Sequence, residues 1–208
     1  MTAPRQVEVA PDRLPGWLDR FQASHGEIHW TSDDATYLVT ATDGAWARLA
    51  GWNAVQDTPP DLSQWTAAPD GVGVLLLRRG GYAVGLVRSG KLTKHKCGTR
   101  YVQSKTAAGG WSQHRYARRR SNQADDLVRV AGAKAAEILA GDGPDALVVG
   151  GDKVLIAQAL GQPGLKHLAH LPTREFYDIA DPRFDVLQDV VKRAVAVRVT
   201  VWNASAGK

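Results

Sequence analysis

The residues of most chemical interest form one short stretch in the middle of the chain, where Gly109 and Gly110 are followed by Trp111, Ser112 and Gln113. Glycines let a backbone adopt positive φ and approach a partner closely. A glutamine side chain offers a hydrogen-bond donor and an acceptor but has no titrating proton. This stretch therefore predicts a segment that positions a water molecule without acting as its base.

An acid-free, basic region surrounds that stretch. No Asp or Glu occurs from Gly71 to Ala124, whereas 12 of the 26 Lys and Arg residues do. These are Arg78, Arg79, Arg88, Lys91, Lys94, Lys96, Arg100, Lys105, Arg115, Arg118, Arg119 and Arg120. The other residues carry 14 basic against 21 acidic side chains, so the formal charge of +5 conceals a bipolar chain. Such a distribution predicts that one region binds a polyanion.

We expect the residues around Gln113 to contact RNA. The predicted RNA-binding set is His95, Lys96, Arg100, Lys105, His114, Arg115, Arg118, Arg119 and Arg120. Cations at the start of a helix oppose its dipole, so their placement is unfavourable unless a polyanion joins them. The alternative is an ordinary solvated basic helix start. For Trp111, stacking on a base and anchoring of the loop on its own domain both stay open.

Several other kinds of site are not predicted. The single cysteine, Cys97, excludes an internal disulfide and a multi-cysteine zinc site, and we expect it to be a passive strand residue. The possible metal ligands have no recognised spacing. They are His167, His170, Asp178 and Asp181. Gly150-Gly151-Asp152-Lys153 lacks the full P-loop pattern, which favours a strand-to-helix turn over an anion nest. We expect neither a metal nor a cofactor.

No run approaches the roughly 18 apolar residues of a membrane span, and the first residues lack the apolar stretch of a signal peptide. We therefore expect a cytoplasmic protein with no membrane partner.

The N-terminal residues predict a small α+β extension over residues 1–65. Apolar residues at helical spacing predict a helix from Pro11 to His25. Two short strands are predicted, from Glu27 to Trp30 and from Thr36 to Thr42. Prolines and aspartates between residues 57 and 71 predict a linker.

Residues 72–208 predict an α/β domain that carries a glutamine loop over residues 103–120. Strands are predicted at residues 72–77, 82–87, 92–102, 146–149, 165–171 and 197–201, and helices from near Ser121, at 153–160 and after Asp181-Pro182. Three antiparallel strands followed by alternating helices and strands predict a ribonuclease H-like mixed sheet with flanking helices.

The residues His95-Lys96, Gly109-Gly110-Trp111-Ser112-Gln113 and the arginine-rich helix start resemble the release-factor-like peptidyl-tRNA hydrolases of ribosome quality control. That family includes the Vms-type and the ankyrin-and-zinc-finger tRNA hydrolases, and the chain looks like a short actinobacterial version. The resemblance covers residues 72 to about 200. Trp111-Ser112 separates the glycine pair from Gln113, which differs from the contiguous Gly-Gly-Gln of eukaryotic and archaeal class I release factors.

The resemblance implies the fold of the release-factor central domain and hydrolysis of the ester between a nascent peptide and the ribose of P-site tRNA. Gln113 would be the catalytic residue and Gly109, Gly110, Trp111 and Ser112 the backbone of its loop. The implied partners are the large ribosomal subunit, ribosomal RNA and peptidyl-tRNA, so the protein would be ribosome-associated, and no DNA partner is expected.

Two other functions compete with this one. A non-catalytic ribosome- or RNA-binding module would use the same basic face without hydrolysis. A conventional nuclease needs several carboxylates around two cations, and the three strands of the meander contain none. The nuclease is therefore the weakest of the three hypotheses.

Overall fold

Some segments of the chain alternate between apolar and polar residues at strand spacing and others are continuously apolar, and the structure contains two separate sheets. The structure is a computed structural model that describes residues 3–33, 35–56, 58–99, 111–141 and 143–203, with the backbone alone described over residues 111–121. The chain divides into a first unit, Met1–Ala68 with Val195–Lys208, and a second unit, Pro69–Ala194.

In chain order the elements are β1 (Arg5–Val9), α1 (Leu14–His25), β2 (Ile28–Ser32), β3 (Tyr37–Ala41), β4 (Trp46–Ala50), α2 (Leu62–Trp65), β5 (Gly71–Arg78), β6 (Gly81–Arg88), β7 (Lys91–Thr99), α3 (Trp111–Ile138), β8 (Ala146–Gly151), α4 (Lys153–Leu160), β9 (Thr173–Phe176), α5 (Phe184–Val195) and β10 (Val197–Trp202). Short 3₁₀ helices occur at Pro11–Arg13 and Lys166–His170.

The first unit is a five-stranded antiparallel sheet in the order β1-β10-β4-β3-β2, with one face covered. Helix α1 packs Leu14, Leu18 and Phe21 into the core on that face. Trp65 of α2 is also buried there, and its ring meets the ring of Tyr37 edge-on at 4.9 Å between centroids. The stretch predicted to be a linker is therefore part of this core.

The last strand corrects the domain boundaries predicted from the sequence. Val197, Val199 and Val201 alternate with polar residues, as expected of a strand, but β10 pairs with β1 and β4 of the first unit. The C-terminal residues therefore do not belong to the predicted domain of residues 72–208. Alternation reveals which residues are buried, but strand pairing is a long-range contact that the local pattern does not specify.

The second unit begins with the predicted antiparallel meander. The apolar strands β5 and β6 and the basic, largely exposed strand β7 are joined by tight turns at Arg79-Gly80 and Ser89-Gly90, where Gly90 has a φ of 74°. Strand β5 also pairs in parallel with β8, and β8 pairs in parallel with β9. The result is a mixed sheet in the order β7-β6-β5-β8-β9, which confirms a mixed α/β fold.

Helices α3 and α4 pack on this sheet. Leu127, Ala131 and Ala135 of α3 join Leu155 and Ile156 of α4 in one core. Burying a large aliphatic side chain of this kind contributes about 1.5–3 kcal/mol, so this interface fixes the helices on the sheet.

The predicted strand at residues 165–171 is wrong, because Lys166–His170 forms a 3₁₀ helix in which Leu165 and Leu168 are buried. The spacing of three between the two leucines matches a 3₁₀ turn. A short apolar segment does not by itself distinguish a strand from a helical turn.

Among the described helices, none is long and apolar enough to cross a membrane.

Candidate functional site

The structure places Gln113 in the first turn of α3, not in an extended loop. The helix begins at Trp111, ten residues before the predicted start near Ser121, and so includes Trp111, Ser112, Gln113 and the arginines up to Arg120. No Gly or Pro occurs from Trp111 to Ala131, and Ala, Arg and Gln have high helix propensity, which explains the earlier start. The remaining predicted loop residues lie outside the described part of the chain. They are Arg100, Lys105, Gly109 and Gly110.

The sheet determines where the glutamine-containing segment is attached. Strands β5, β8 and β9 are parallel and end at the same side of the sheet, which we call the carboxyl edge. Strand β7 also ends there, because Thr99 pairs with Gly81, and Gly81 pairs with Arg78 at the end of β5. The last described residue before α3, Thr99, therefore lies at the carboxyl edge.

Helix α3 runs from the carboxyl edge towards the opposite side of the sheet. Its C-terminal end lies at that opposite side, where Leu139 approaches Gly73 near the start of β5. In its middle, the Val128 carbonyl accepts a 3.0 Å hydrogen bond from Nε2 of Gln162, which follows α4. A helical rise of about 1.5 Å per residue puts Gln113 roughly 22 Å from Val128 along the helix axis, on the side of the carboxyl edge.

His95 and Lys96 were predicted to act together, but they lie on opposite faces of β7. The His95 ring packs against Phe184 of α5, with 4.7 Å between ring centroids. Lys96 lies on the face of α3, where its charge helps to lower the pKa of Glu137, although the main cause of that shift is the hydrogen bond from Lys134. Successive strand residues point to opposite faces, so only one of the pair can share a surface with α3.

Cys97 is half-buried on β7. Burial raises the pKa of its thiol, and the nearby charge of Asp185 raises it further. Because the thiolate is the reactive form, this environment is typical of a structural cysteine.

A cleft at the carboxyl edge is a feature that the sequence patterns did not predict. It has a volume of about 400 Å³ and is lined by Arg78, Arg79, Gly80, Gly151, Asp152, Tyr177 and Asp181. These residues come from the β5–β6 turn, the start of α4 and the segment after β9. They are separated by up to about a hundred residues in the sequence, and no local motif connects them.

Most polar groups of this cleft already have partners. Arg78 donates through Nη1 to the Ile179 carbonyl, and its Nε lies 3.7 Å from Oδ1 of Asp181. Asp152 caps α4 by accepting hydrogen bonds from the backbone N–H groups of Val154 and Leu155. The cap uses the donors that an anion nest at this turn would need, which agrees with the predicted strand-to-helix turn.

Tyr177 lines the cleft, and Lys153, the first residue of α4, packs against its ring. The Lys153 ammonium lies 4.4 Å from the centroid of the Tyr177 ring, a distance typical of a cation–π contact. Burial raises the pKa of Tyr177, and its hydrogen bond to Glu175 raises it further, so the phenol stays protonated at neutral pH. Within the described residues, no cluster of three His, Cys, Asp or Glu side chains is arranged to hold a metal ion.

The positive charge belongs to the second unit. It contains 20 Lys and Arg against 12 Asp and Glu, a net charge of +8, whereas the first unit has 6 against 9, a net charge of −3. The division into units therefore separates a basic body from a mildly acidic one.

Two of the solved structures to which this chain is similar come from archaea. The crystal structure of an archaeal translation termination factor, aRF1, is 14% identical and covers 79% of this chain and 48% of that chain, with a TM-score of 0.36. A structure described as an archaeal protein is 12% identical and covers 85% of this chain and 51% of that chain, with a TM-score of 0.27. This chain thus spans about half the length of both.

No curated protein matches the chain. A family model described as the Actinobacteria/chloroflexi VLRF1 release factor matches residues 70–200, a range that includes Gln113 and all residues of the cleft. The match covers more than half of the chain and confirms the resemblance predicted from the residues around Gln113. This protein therefore belongs to the Actinobacteria/chloroflexi VLRF1 release factor family.

Proposed function

We propose that this protein is a peptidyl-tRNA hydrolase that releases nascent chains from P-site tRNA on stalled large ribosomal subunits, in ribosome quality control. Membership of a release-factor family indicates a role in translation termination or ribosome rescue. The observation that carries the finer proposal is the position of Gln113, which is separated by two residues from a glycine pair and lies in the first turn of α3.

In the proposed reaction, Gln113 orients a water molecule towards the carbonyl carbon of the peptidyl ester. The water oxygen forms a bond to that carbon, and the bond from the carbon to the ribose oxygen breaks. The ribose oxygen takes up a proton, and the products are a free peptide and a deacylated tRNA. A glutamine amide cannot accept the proton of the water, so the side chain contributes by positioning. Ribosomal RNA and the tRNA ribose supply much of the remaining catalytic environment.

The arginines that follow Gln113 hold the RNA in this proposal, together with the other cations of the acid-free region. Three features support this role: the net charge of +8 on the second unit, the absence of Asp and Glu from Gly71 to Ala124, and the exposure of Lys94 and Lys96 on β7. Phosphate contacts of this kind give affinity without sequence specificity. In this proposal the RNA partners are large-subunit ribosomal RNA and peptidyl-tRNA.

We also propose that the sheet of the second unit is of the ribonuclease H-like type. Its strand order, with three antiparallel strands followed by two parallel ones, supports this classification. The release-factor domain would then correspond to Pro69–Ala194, the second unit.

The test is single-turnover peptide release from large subunits that carry labelled peptidyl-tRNA. The wild-type protein should release the peptide, and Gln113→Ala should release it far more slowly while still binding the subunits. Equal rates for the two proteins would instead support a non-catalytic RNA-binding module, which the net charge of +8 on the second unit would also allow.

A further inference from the structure

The carboxyl-edge cleft combines free cations with carboxylates that are already engaged. Asp152 is occupied by the start of α4, and Asp181 lies beside Arg78. Arg79 is exposed and has no ion pair or hydrogen-bond partner among the described residues. The hydrogen-bond donors that a ligand would meet in this cleft therefore come chiefly from the Arg79 guanidinium.

Lys153 provides a second cation next to the cleft, through its contact with the lining residue Tyr177. Its ammonium is held over the Tyr177 ring, and within the described part of the chain it has no carboxylate partner. Arg79 of the β5–β6 turn lines the cleft, and Lys153 in the first turn of α4 lies over the ring of another lining residue, Tyr177. Two cations from different elements at one cleft are suited to a single phosphate group.

The remaining lining residues favour a ribose next to that phosphate. Asp181 is 59% exposed at its side chain and has one oxygen, Oδ1, near Arg78, which leaves acceptor capacity for a hydroxyl group. A cleft of about 400 Å³ falls in the lower part of the range for small-ligand sites, which agrees with a single nucleotide. The carboxyl ends of parallel strands are also where α/β sheets usually bind ligands.

We propose that the carboxyl-edge cleft binds one unpaired ribonucleotide of an RNA chain, with its phosphate on Arg79 and Lys153 and its 2′-hydroxyl on Asp181. This proposal rests on the proposed function, because it makes the cleft an RNA contact at the carboxyl edge, where β7 ends. The site is assigned to an RNA chain rather than to a free nucleotide because the cleft belongs to the second unit, whose net charge is +8.

The binding test uses the full chain and a labelled acceptor-stem minihelix that ends in unpaired ribonucleotides. A second minihelix has 2′-deoxy residues at those unpaired positions only. Arg79→Ala should weaken binding of the ribose form about tenfold at low salt and reduce the log–log salt slope by about one. Arg79→Lys keeps the charge and should restore much of this affinity. Lys192→Ala removes an exposed cation far along the chain, on α5, and should bind like wild type.

The second readout is the preference for ribose over deoxyribose. Wild-type protein should prefer the ribose minihelix, and Asp181→Asn should bring the ratio of the two affinities close to one. Arg79→Ala should lower both affinities and leave their ratio nearly unchanged. A change in overall folding would not produce these two different patterns, and circular dichroism confirms that each variant is folded.

Three outcomes would overturn the proposal: unchanged minihelix binding by Arg79→Ala, no ribose preference in wild type, or saturation of the cleft by a nucleoside monophosphate at the concentrations that suffice for RNA. The proposed function is judged separately by peptide release. If wild type releases peptide while Arg79→Ala binds normally, only the cleft assignment fails. If wild type releases no peptide, the binding comparison still decides the cleft.

Discussion

Gly98 on β7 lies directly against the ring of Tyr82, its cross-strand partner on β6, so closely that a Cβ at Gly98 would be 2.4 Å from Cε1 of the ring. Tyr82 is only 4% exposed and belongs to the core of the second unit. Gly98 is the second-to-last residue of β7, so its contact with Tyr82 determines how the end of β7 lies on the sheet. It therefore helps to fix the end of β7, the last described strand before α3.

Gly98→Ala should destabilise the second unit and reduce peptide release. The buried Tyr82 ring has little room to move, and overpacking of this kind typically costs about 1–3 kcal/mol. Urea unfolding followed by circular dichroism measures the stability, and the release assay measures the activity. Gly16→Ala is the control, because its Cβ would be 3.5 Å from the Arg20 side chain, an ordinary contact, and alanine favours a helix. A Gly98→Ala protein with wild-type stability and rate would contradict this role.

Gln113→Ala should lower the single-turnover release rate by about 10² to 10³, if the glutamine acts like one donor in the transition state. The substitution leaves the charge unchanged, and alanine favours the helix that contains this position. Co-sedimentation with large subunits should therefore show affinity close to that of wild type. A wild-type release rate would show that Gln113 is not catalytic.

Replacing Arg118, Arg119 and Arg120 together by alanine should weaken attachment to the ribosome more than chemistry. Each phosphate contact that is lost removes roughly 0.7–0.9 from the log–log salt slope, so the slope should fall by about two to three units. Release should partly recover at high protein concentration. The matched control removes three exposed cations elsewhere, Arg20, Lys166 and Lys192. A nearly flat salt response of the wild-type protein would indicate docking through protein contacts instead.

The first unit should lose stability in acid. The pKa values of Asp33 and Asp43 are lowered chiefly by the backbone N–H groups of Ala35 and Ala45, and that of Asp61 chiefly by the Ser63 hydroxyl. A carboxyl group with a lowered folded-state pKa stabilises the fold above its unfolded pKa, near 3.9, and this contribution disappears as the pH falls through the folded-state pKa.

Tryptophan fluorescence in urea follows this unit, because six of the seven tryptophans belong to it. The unfolding midpoint should be nearly constant from pH 6 to 5 and fall steeply below pH 4. Asp43→Asn keeps the size of the side chain but removes its charge beside His25, whose Nδ1 lies 2.8 Å from Asp43. This variant should show a shallower decline, and a midpoint that stays flat down to pH 3 would exclude the linkage.

The sequence by itself determined the features that depend on neighbouring residues. Turn residues at Arg79-Gly80 and Ser89-Gly90 between apolar runs predicted the meander, and the lack of Asp and Glu from Gly71 to Ala124 predicted a polyanion-binding region. The residues around Gln113 predicted the family. Each of these signals is local, because propensity, charge and turn chemistry act between residues that are close in the sequence.

Only the tertiary structure decided which distant segments meet. Strand β10 alternates like a strand of either sheet, yet it pairs with β1 and β4, because Val199 is buried only in the core of the first unit. The carboxyl-edge cleft likewise brings Arg79 near Tyr177 through the parallel pairing of β5, β8 and β9. Pairing and burial depend on the free energy of the whole sheet, which no local pattern contains.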